Sequence, residues 1–373
     1  MKNKIIIMIF FMPIIIFLII LIGLYVSDPL QLIHTYSKKK GFVSNERHQV
    51  LRIINHYPFD SIILGTSMLQ NTSSKESSKM LGGNFVNLSL SGSDFNTRSI
   101  ILNYILKKKI LKKVIYSLDD IGLVQLKMRN TSNFDFLYDD NKFNDVRVYI
   151  NSNYLRCSLF NSYCLTNRDI DRPYAWYRNN KRVKRFGGLN NWFKENDNIQ
   201  NKNTFKEILI SIKNIKLNKK NIDINLQENI LKSKKYINDN IIRYVSNYPN
   251  TEFILLLPPY SRISYAIDAK YNVSSFEKYK LNIKYLVTKS NEYTNLKIYG
   301  WGNNAFLDNI ANYRDLHHYE YKINSWMIDA IKKEEGLLTV NNVDNYLELF
   351  TTKAFNYNLF ELEKKINYYI NTK

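Results

Sequence analysis

The chain of 373 residues is poor in glycine, proline and cysteine. Its 12 glycines and 7 prolines are too few for the frequent turns of an all-β sandwich or barrel. The two cysteines, Cys157 and Cys164, belong to no C-x-x-C motif and no cysteine–histidine cluster, which argues against a zinc site built on cysteine. They either close a short disulfide loop in an oxidising compartment or stay as two buried thiols.

Acidic residues are also in deficit. The 53 Lys and Arg residues outnumber 33 Asp and Glu residues, and the formal net charge is +20. Such a charge suits nucleic acid, an anionic lipid surface or an anionic glycan, although a general abundance of Lys, Asn and Ile explains it equally well. Because the lysines are spread along the chain without an RNA-binding or helix-turn-helix signature, we expect no nucleic-acid partner.

Motifs for nucleotides and metals are missing as well. The sequence contains no G-x-x-x-x-G-K-[ST] and no G-x-G-x-x-G motif, so nothing predicts a phosphate-cradling nucleotide site. No spacing singles out a pair of carboxylates like that of a retaining glycosidase. We therefore expect neither a cofactor nor a metal ion.

One long apolar run lies at the start of the chain. Lys2 and Lys4 precede an uncharged segment, residues 5–26, whose 22 residues can cross a hydrocarbon core about 30 Å thick. No small-x-small cleavage site follows, which favours a retained anchor over a removed signal peptide. The positive N-terminus predicts a cytoplasmic end. We expect a single-pass protein of the cytoplasmic membrane with its C-terminal body on the outer, periplasmic side.

The rest of the chain has the pattern of an α/β fold. Apolar residues make up 45% of the chain, which permits a sizeable core. Buried-strand patterns alternate with helical patterns, and this predicts a three-layer parallel sheet flanked by helices. The predicted strands are residues 61–65, 84–92, 112–119, 251–259 and 296–301, and the predicted helices are residues 93–108, 223–247, 274–293, 320–333 and 358–370.

A stretch without a clean period, residues 125–222, interrupts this alternation. It contains "DRPYAWYRNNKRVKRF", which is typical of a lid that contacts sugars or phosphates, or of an irregular packed subdomain. The predicted plan is an anchor (1–27), a linker with a short helix (28–57), an α/β domain that holds the insertion (58–335) and a helical extension (336–373).

Histidine is scarce, and the position of one pair indicates chemistry. Of five histidines, His317 and His318 lie together between the last predicted strand and the next helix. Asp315 precedes His318 by three residues, so its carboxylate can fold back onto the imidazole and fix its tautomer. Alternatively, Asp315 caps the helix that begins near residue 320. Ser67 follows the first strand, where it is either a helix N-cap or a nucleophile at the edge of the sheet where sites gather.

Three motifs in this order resemble the SGNH (GDSL-type) hydrolase superfamily. They are "GTS" after the first strand, "NLSLSG" after the second and "DLHHY" before the helix at 320–333. More narrowly, they resemble its membrane-anchored bacterial members in cell-envelope assembly, the relatives of the alginate and teichoic-acid modification proteins. The resemblance covers residues 58–122 and 250–335, and it implies the SGNH (flavodoxin-like) form of the α/β fold.

The resemblance also implies roles for individual residues. Ser67 matches the nucleophile, and Asp315 and His318 complete its triad. The backbone N–H groups of Ser67 and Gly92 match donors that hold the oxyanion, and one such donor can be worth about 10²–10³ in rate. The chain departs from the family where the third motif has an asparagine, because Asp119 and Asp120 stand there and an ionised aspartate would repel an oxyanion.

The resulting hypothesis is a membrane-anchored serine esterase or O-acyltransferase, such as an O-acetyltransferase, that acts on an envelope or exported polysaccharide. A membrane acyltransferase is a possible partner in this account. The alternative is a non-catalytic envelope protein that keeps the fold and binds or assembles polysaccharide. The departure at Asp119 and Asp120 favours that alternative.

Overall fold

The computed structural model describes residues 2–34, 41–119, 123, 128–159, 166, 168–178, 183–194 and 198–371. Asp120 and Cys164 lie outside these residues. The two alternatives for the cysteine pair therefore stay predictions from sequence.

Six strands of the described chain form one mixed sheet, and the α/β fold class expected from the sequence is confirmed. The sheet differs from the expectation at one edge, because its last strand is antiparallel to its neighbour and the sheet is therefore not wholly parallel. In the order β2-β1-β3-β4-β5-β6, the strands are β1 (Ser61–Leu64), β2 (Phe85–Asn87), β3 (Lys113–Ser117), β4 (Glu252–Leu257), β5 (Leu296–Gly300) and β6 (Leu337–Leu338).

Burial explains which segments became central strands. The four residues of β1 are all buried, and so are five of the six residues of β4. Such continuous apolar runs suit parallel strands that helices cover on both faces. The second strand is shorter than its predicted range, because the ladder between β1 and β2 ends where Ile63 lies opposite Asn87. Residues 88–92 instead form a loop beyond the end of the strand.

The strand order creates a switch point between β1 and β3. Both β2 and β3 run parallel to β1, one on each side. The chain therefore leaves β1 towards one edge of the sheet and returns to cross to the other. In doubly wound sheets of this order, ligands bind outside the carboxyl ends of the strands at that point. Ser67 and Asp119 follow β1 and β3 directly, so both lie at this place in the fold.

Helices occupy most of the remaining described chain, and short 3₁₀ segments and one π-helical turn join them. The π turn (Asn238–Ile242) divides a helix that the sequence predicts as continuous. The α-helices are Lys2–Ser27, Glu46–His56, Ser74–Leu81, Phe95–Lys108, Lys142–Asp145, Ser152–Leu159, Leu189–Lys194, Asn198–Lys216, Leu226–Ile237, Arg243–Asn247, Arg262–Lys270, Val273–Glu292, Tyr321–Lys332, Val343–Asn356 and Leu359–Asn371. The 3₁₀ segments are Asp135–Tyr138, Val146–Tyr149, Ala305–Asp308 and Ile310–Asn312.

The chain divides into two compact units. The first combines Met1–Pro58, Ile100–Lys108 and Asn130–Pro173, and the second combines Phe59–Ser99, Lys109–Arg129 and Tyr174–Lys373. All six strands belong to the second unit. The predicted insertion contributes residues to both units.

In the first unit, the end of the N-terminal helix is fixed by a buried aspartate. The carboxylate of Asp28 accepts the hydroxyl of Tyr149 at 2.5 Å and the backbone N–H groups of residues 32–34. These bonds fix the path of the chain where it leaves the helix after Ser27. The predicted membrane span, residues 5–26, falls within this helix, but among the described residues no helix is long and apolar enough to cross a membrane.

Stability is expected to fall in mild acid because of His48 in the first unit. This histidine is buried, and its Nδ1 lies 3.0 Å from the hydroxyl of Tyr154. Burial is the main cause that lowers the pKa of His48 from 6.5 to about 4, and Arg47 lowers it further against a hydrogen bond with the backbone of Asn133. The unfolded chain therefore binds a proton between pH 6.5 and pH 4 that the folded chain does not.

The free energy of unfolding should fall by up to about 3 kcal/mol as the pH decreases from 6.5 to 4. The stability that the buried neutral form of His48 contributes is fully present above pH 6.5. Chemical denaturation of the parent and of His48→Gln across this range measures it. The variant should show a shallower slope, and an equal slope in both proteins would contradict the assignment to His48.

Candidate active site

The turn after β1 presents a serine at the edge of the sheet. The chain leaves the strand at Leu64 and makes two tight turns, in which Leu69 N–H donates to Thr66 and Thr72 N–H donates to Leu69. Gly65 permits this path, because a β-carbon there would lie 2.8 Å from Cδ1 of Leu69. Ser67 is half-buried on this turn and does not begin a helix, so it is not a helix N-cap.

The segment between β5 and the helix Tyr321–Lys332 brings a histidine to that serine. Oγ of Ser67 lies 2.9 Å from Nε2 of His318, although 251 positions separate the two residues in the chain. On the other side of the ring, Nδ1 lies 3.0 Å and 2.9 Å from the two carboxylate oxygens of Asp315. The three predicted triad residues are thus joined in one chain of hydrogen bonds. The side chains of His318 and Asp315 are 24% and 21% exposed, so solvent reaches the site.

Asp315 is held as an anion by its own loop. One of its oxygens accepts the backbone N–H groups of His317 and His318, at 3.0 Å and 2.8 Å. Burial alone would raise the pKa of Asp315, but His318 and the guanidinium of Arg314 outweigh it and hold this pKa well below its ordinary value. Asp315 does not cap the following helix, since Glu320 occupies the position before Tyr321 and makes no side-chain cap there.

The neighbouring histidine has a different partner. Nε2 of His317 lies 3.2 Å from Oγ of Ser264, and its ring meets that of Tyr260 edge-on. Among the described residues, no carboxylate forms a hydrogen bond with the ring of His317. The structure therefore gives the two neighbouring histidines different partners, and of the two it is His318, the one expected from the sequence, that reaches Ser67.

Asp119 lies beneath the nucleophile turn and is neutralised there. Its carboxylate accepts the hydroxyls of Thr66 at 2.7 Å and Ser117 at 2.5 Å. Nη2 of Arg98 lies 3.2 Å from it, and both side chains are almost completely buried. The expected repulsion of an oxyanion by Asp119 is therefore offset by a paired arginine. Sequence reasoning missed this role, because no local pattern links Arg98, in the first turn of the helix Phe95–Lys108, to the end of β3.

The loop that carries Gly92 is tied to the residue before Thr66. Leu90 N–H donates to the carbonyl of Gly65 at 2.8 Å, and the hydroxyl of Ser93 lies 3.3 Å from the same oxygen. Gly92 has a φ of +60°, which disfavours any residue with a side chain. Within the described part of the chain, neither the Ser67 nor the Gly92 backbone N–H has a hydrogen-bond acceptor. Both N–H groups can therefore donate to an oxygen atom of a bound substrate.

A tryptophan from the predicted insertion completes the surroundings. The indole Nε1–H of Trp176 donates to the carbonyl of Ser67 at 2.8 Å. Its ring meets that of His318 edge-on, with 5.7 Å between the centroids, and the guanidinium of Arg314 lies 4.4 Å from its centre. Sequence reasoning noticed the aromatic residues of this segment. It had no signal for the loop that they contact.

Comparisons with known proteins found no similar chain. No family model, no curated protein and no solved structure matches. The site is therefore interpreted from its own atoms. Among the described residues, no group of histidine, cysteine, aspartate and glutamate side chains could hold a metal ion.

Proposed function

We propose that the protein is a serine esterase or O-acyltransferase whose nucleophile is Ser67. The single observation that supports this most is the hydrogen-bonded chain from Ser67 through His318 to Asp315. A serine hydroxyl is a weak nucleophile until an adjacent base removes its proton, and a carboxylate behind the base fixes the tautomer that can do so. The position at the switch point of the sheet agrees with such a site.

The first half-reaction forms an acyl-enzyme. Oγ of Ser67 attacks the carbonyl carbon of an ester as its proton passes to Nε2 of His318, while Nδ1–H stays bonded to Asp315. The carbonyl electron pair moves to oxygen, and the N–H groups of Ser67 and Gly92 stabilise this oxyanion. The oxyanion then collapses, the ester C–O bond breaks, and His318 gives its proton to the leaving oxygen.

The second half-reaction returns the enzyme to its starting state. Water or a sugar hydroxyl attacks the acyl carbon, and His318 takes the proton of the incoming group. Collapse of the second tetrahedral intermediate releases the acid or the new ester, and the proton returns to Ser67. The same residues serve hydrolysis and transfer, so the acceptor decides which of the two occurs.

The substrate class follows from the resemblance of three short motifs to the SGNH superfamily. We propose an envelope or exported polysaccharide as the substrate. We also propose that the protein has the SGNH form of the α/β fold. The net charge of +20 agrees with an anionic polymer but selects none. The alternative of a non-catalytic polysaccharide-binding protein loses part of its support, because Asp119 is paired with Arg98 and lies beneath the turn.

An ester assay with a matched serine control tests this proposal. Release of p-nitrophenolate from p-nitrophenyl acetate should be lost in Ser67→Ala and retained in Ser264→Ala, whose hydroxyl also lies beside a histidine. Adding a chito-oligosaccharide separates the acceptors, since transfer gives an acetylated sugar and hydrolysis gives acetate alone. Equal release by the parent and Ser67→Ala would contradict the assignment, and release by both at the rate of buffer alone would favour the non-catalytic alternative.

The cellular location is proposed from sequence alone. Residues 5–26 and the lysines before them suggest a single N-terminal anchor with the body outside the cytoplasmic membrane. Protease added to intact spheroplasts should digest the body and leave a short membrane-bound fragment. Complete protection of the chain would contradict this location.

A further inference from the structure

The two halves of the proposed triad lie on loops that are far apart in the chain. Ser67 follows β1, and His318 follows β5. One link between these loops is Asn324, whose amide donates to the carbonyl of Met68 at 2.8 Å and so joins the helix after His318 to the turn of Ser67. Such links join the two loops at the place where Oγ of Ser67 lies 2.9 Å from Nε2 of His318.

A second link comes from a third segment of the chain. Oδ1 of Asn71 accepts the backbone N–H groups of Trp176 and Tyr177, at 3.1 Å and 3.3 Å. The ring of Tyr177 stacks on that of Tyr321, which lies three residues after His318. Trp176 and Tyr177 therefore contact the turn that carries Ser67 on one side and the segment that carries His318 and Tyr321 on the other. We call Trp176 and Tyr177 the aromatic clamp.

Trp176 contacts every member of the triad or its immediate support. Its indole N–H fixes the carbonyl of Ser67, its ring edge meets His318, and its face carries the guanidinium of Arg314. That guanidinium lies 3.6 Å from the carboxylate of Asp315. Trp176 is only 3% exposed, so solvent does not compete for these contacts.

We infer that Trp176 is a positioning residue that sets the distance between Ser67 and His318, and that the aromatic clamp therefore belongs to the active site. This inference rests on the proposed function for its kinetic consequence. An error of about 1 Å in the position of a reacting group can cost roughly 100-fold in rate. The clamp is thus expected to affect turnover without touching the substrate.

The kinetic test compares two conservative variants. Trp176→Phe keeps an aromatic ring but removes the N–H that holds Ser67, and we expect a fall of about 10- to 100-fold in kcat. The KM should stay unchanged, because no bound group is lost. The matched control is Trp301→Phe: Trp301 is also 3% exposed, and it loses the same kind of bond, 3.0 Å to the carbonyl of Glu335. This control should keep the parent kcat.

Asn71→Ala tests the same inference from the other end. It keeps the tryptophan side chain but removes the acceptor that anchors the backbone of Trp176, so the indole is no longer held against the carbonyl of Ser67. We expect kcat to fall here too, and a cooperative thermal unfolding transition in both variants is the evidence that they fold. Parent-like kcat in folded Trp176→Phe, or a change in KM alone, would overturn the inference.

A spectroscopic measurement separates the clamp from the proposed function. Hydrogen exchange of the Trp176 indole N–H, followed in a ¹⁵N-tryptophan-labelled protein, should be slow in the parent and in Ser67→Ala, which keeps the carbonyl. It should be fast in Asn71→Ala. Fast exchange in the parent would overturn the clamp even if the esterase is active. Slow exchange in a parent without esterase activity would contradict the proposed function alone.

Discussion

Replacing His318 with alanine is expected to lower kcat by about 10⁶-fold, and Asp315→Asn by about 10⁴-fold, because triad members act as a unit. Without His318 no described group lies within hydrogen-bond reach of Oγ of Ser67 to take its proton. Without the charge on Asp315 the ring loses the partner that fixes its tautomer. Steady-state kinetics on an activated ester measure both effects.

Non-additivity makes this prediction sharper. The double variant Ser67→Ala with His318→Ala should be no slower than either single variant, since each removes the same pathway. His317→Gln is the control, because its ring contacts Ser264 and not Ser67. The pKa of Asp315 lies well below its ordinary value, so Asp315 should stay ionised and should not contribute to the acid limb of kcat/KM. Losses that multiply in the double variant would contradict a common pathway.

The second large effect is expected on stability. Asp119→Asn removes the charge that neutralises Arg98 and leaves its guanidinium in the core without an ion-pair partner, where the side chain of Arg98 is 0% exposed. Breaking a buried ion pair in this way costs about 3–5 kcal/mol in the free energy of unfolding. Chemical denaturation measures the loss directly.

A surface ion pair provides the matched control. Lys107 and Asp140 lie 3.2 Å apart with side chains 51% and 75% exposed. Because water screens such a pair, Asp140→Asn should change the free energy of unfolding by less than about 0.5 kcal/mol. A similarly small effect of Asp119→Asn would show that the pair with Arg98 contributes little, and the account of Asp119 as a structural carboxylate would be wrong.

The parts of the fold that could be predicted are those with a strong local pattern. β1 and β4 are continuous apolar runs, and the helix Phe95–Lys108 begins where Asp94 caps it, with Oδ1 accepting the N–H of Thr97 at 2.8 Å. Elements with a weak local pattern were not predicted. The two residues of β6 have no period, and the helix Asn198–Lys216 lies in the stretch without a clean period, where the sequence indicates no helix.

The candidate site divides in the same way. Ser67, Asp315 and His318 stand in short motifs whose order could be seen in the sequence, and the structure brings them together. Arg98 and Trp176 could not be found, because each acts across a separation that only the folded chain closes. A buried arginine at the start of a helix looks like a solvated charge until its partner is known.

The most direct test of the central claim is to react the protein with a fluorophosphonate and map the adduct by peptide mass spectrometry. Such a reagent reports a serine whose hydroxyl is activated by a base. We expect one adduct per chain, on Ser67, formed in the parent and in Ser264→Ala and absent from His318→Ala. An adduct on another residue, or none on the folded parent, would contradict it.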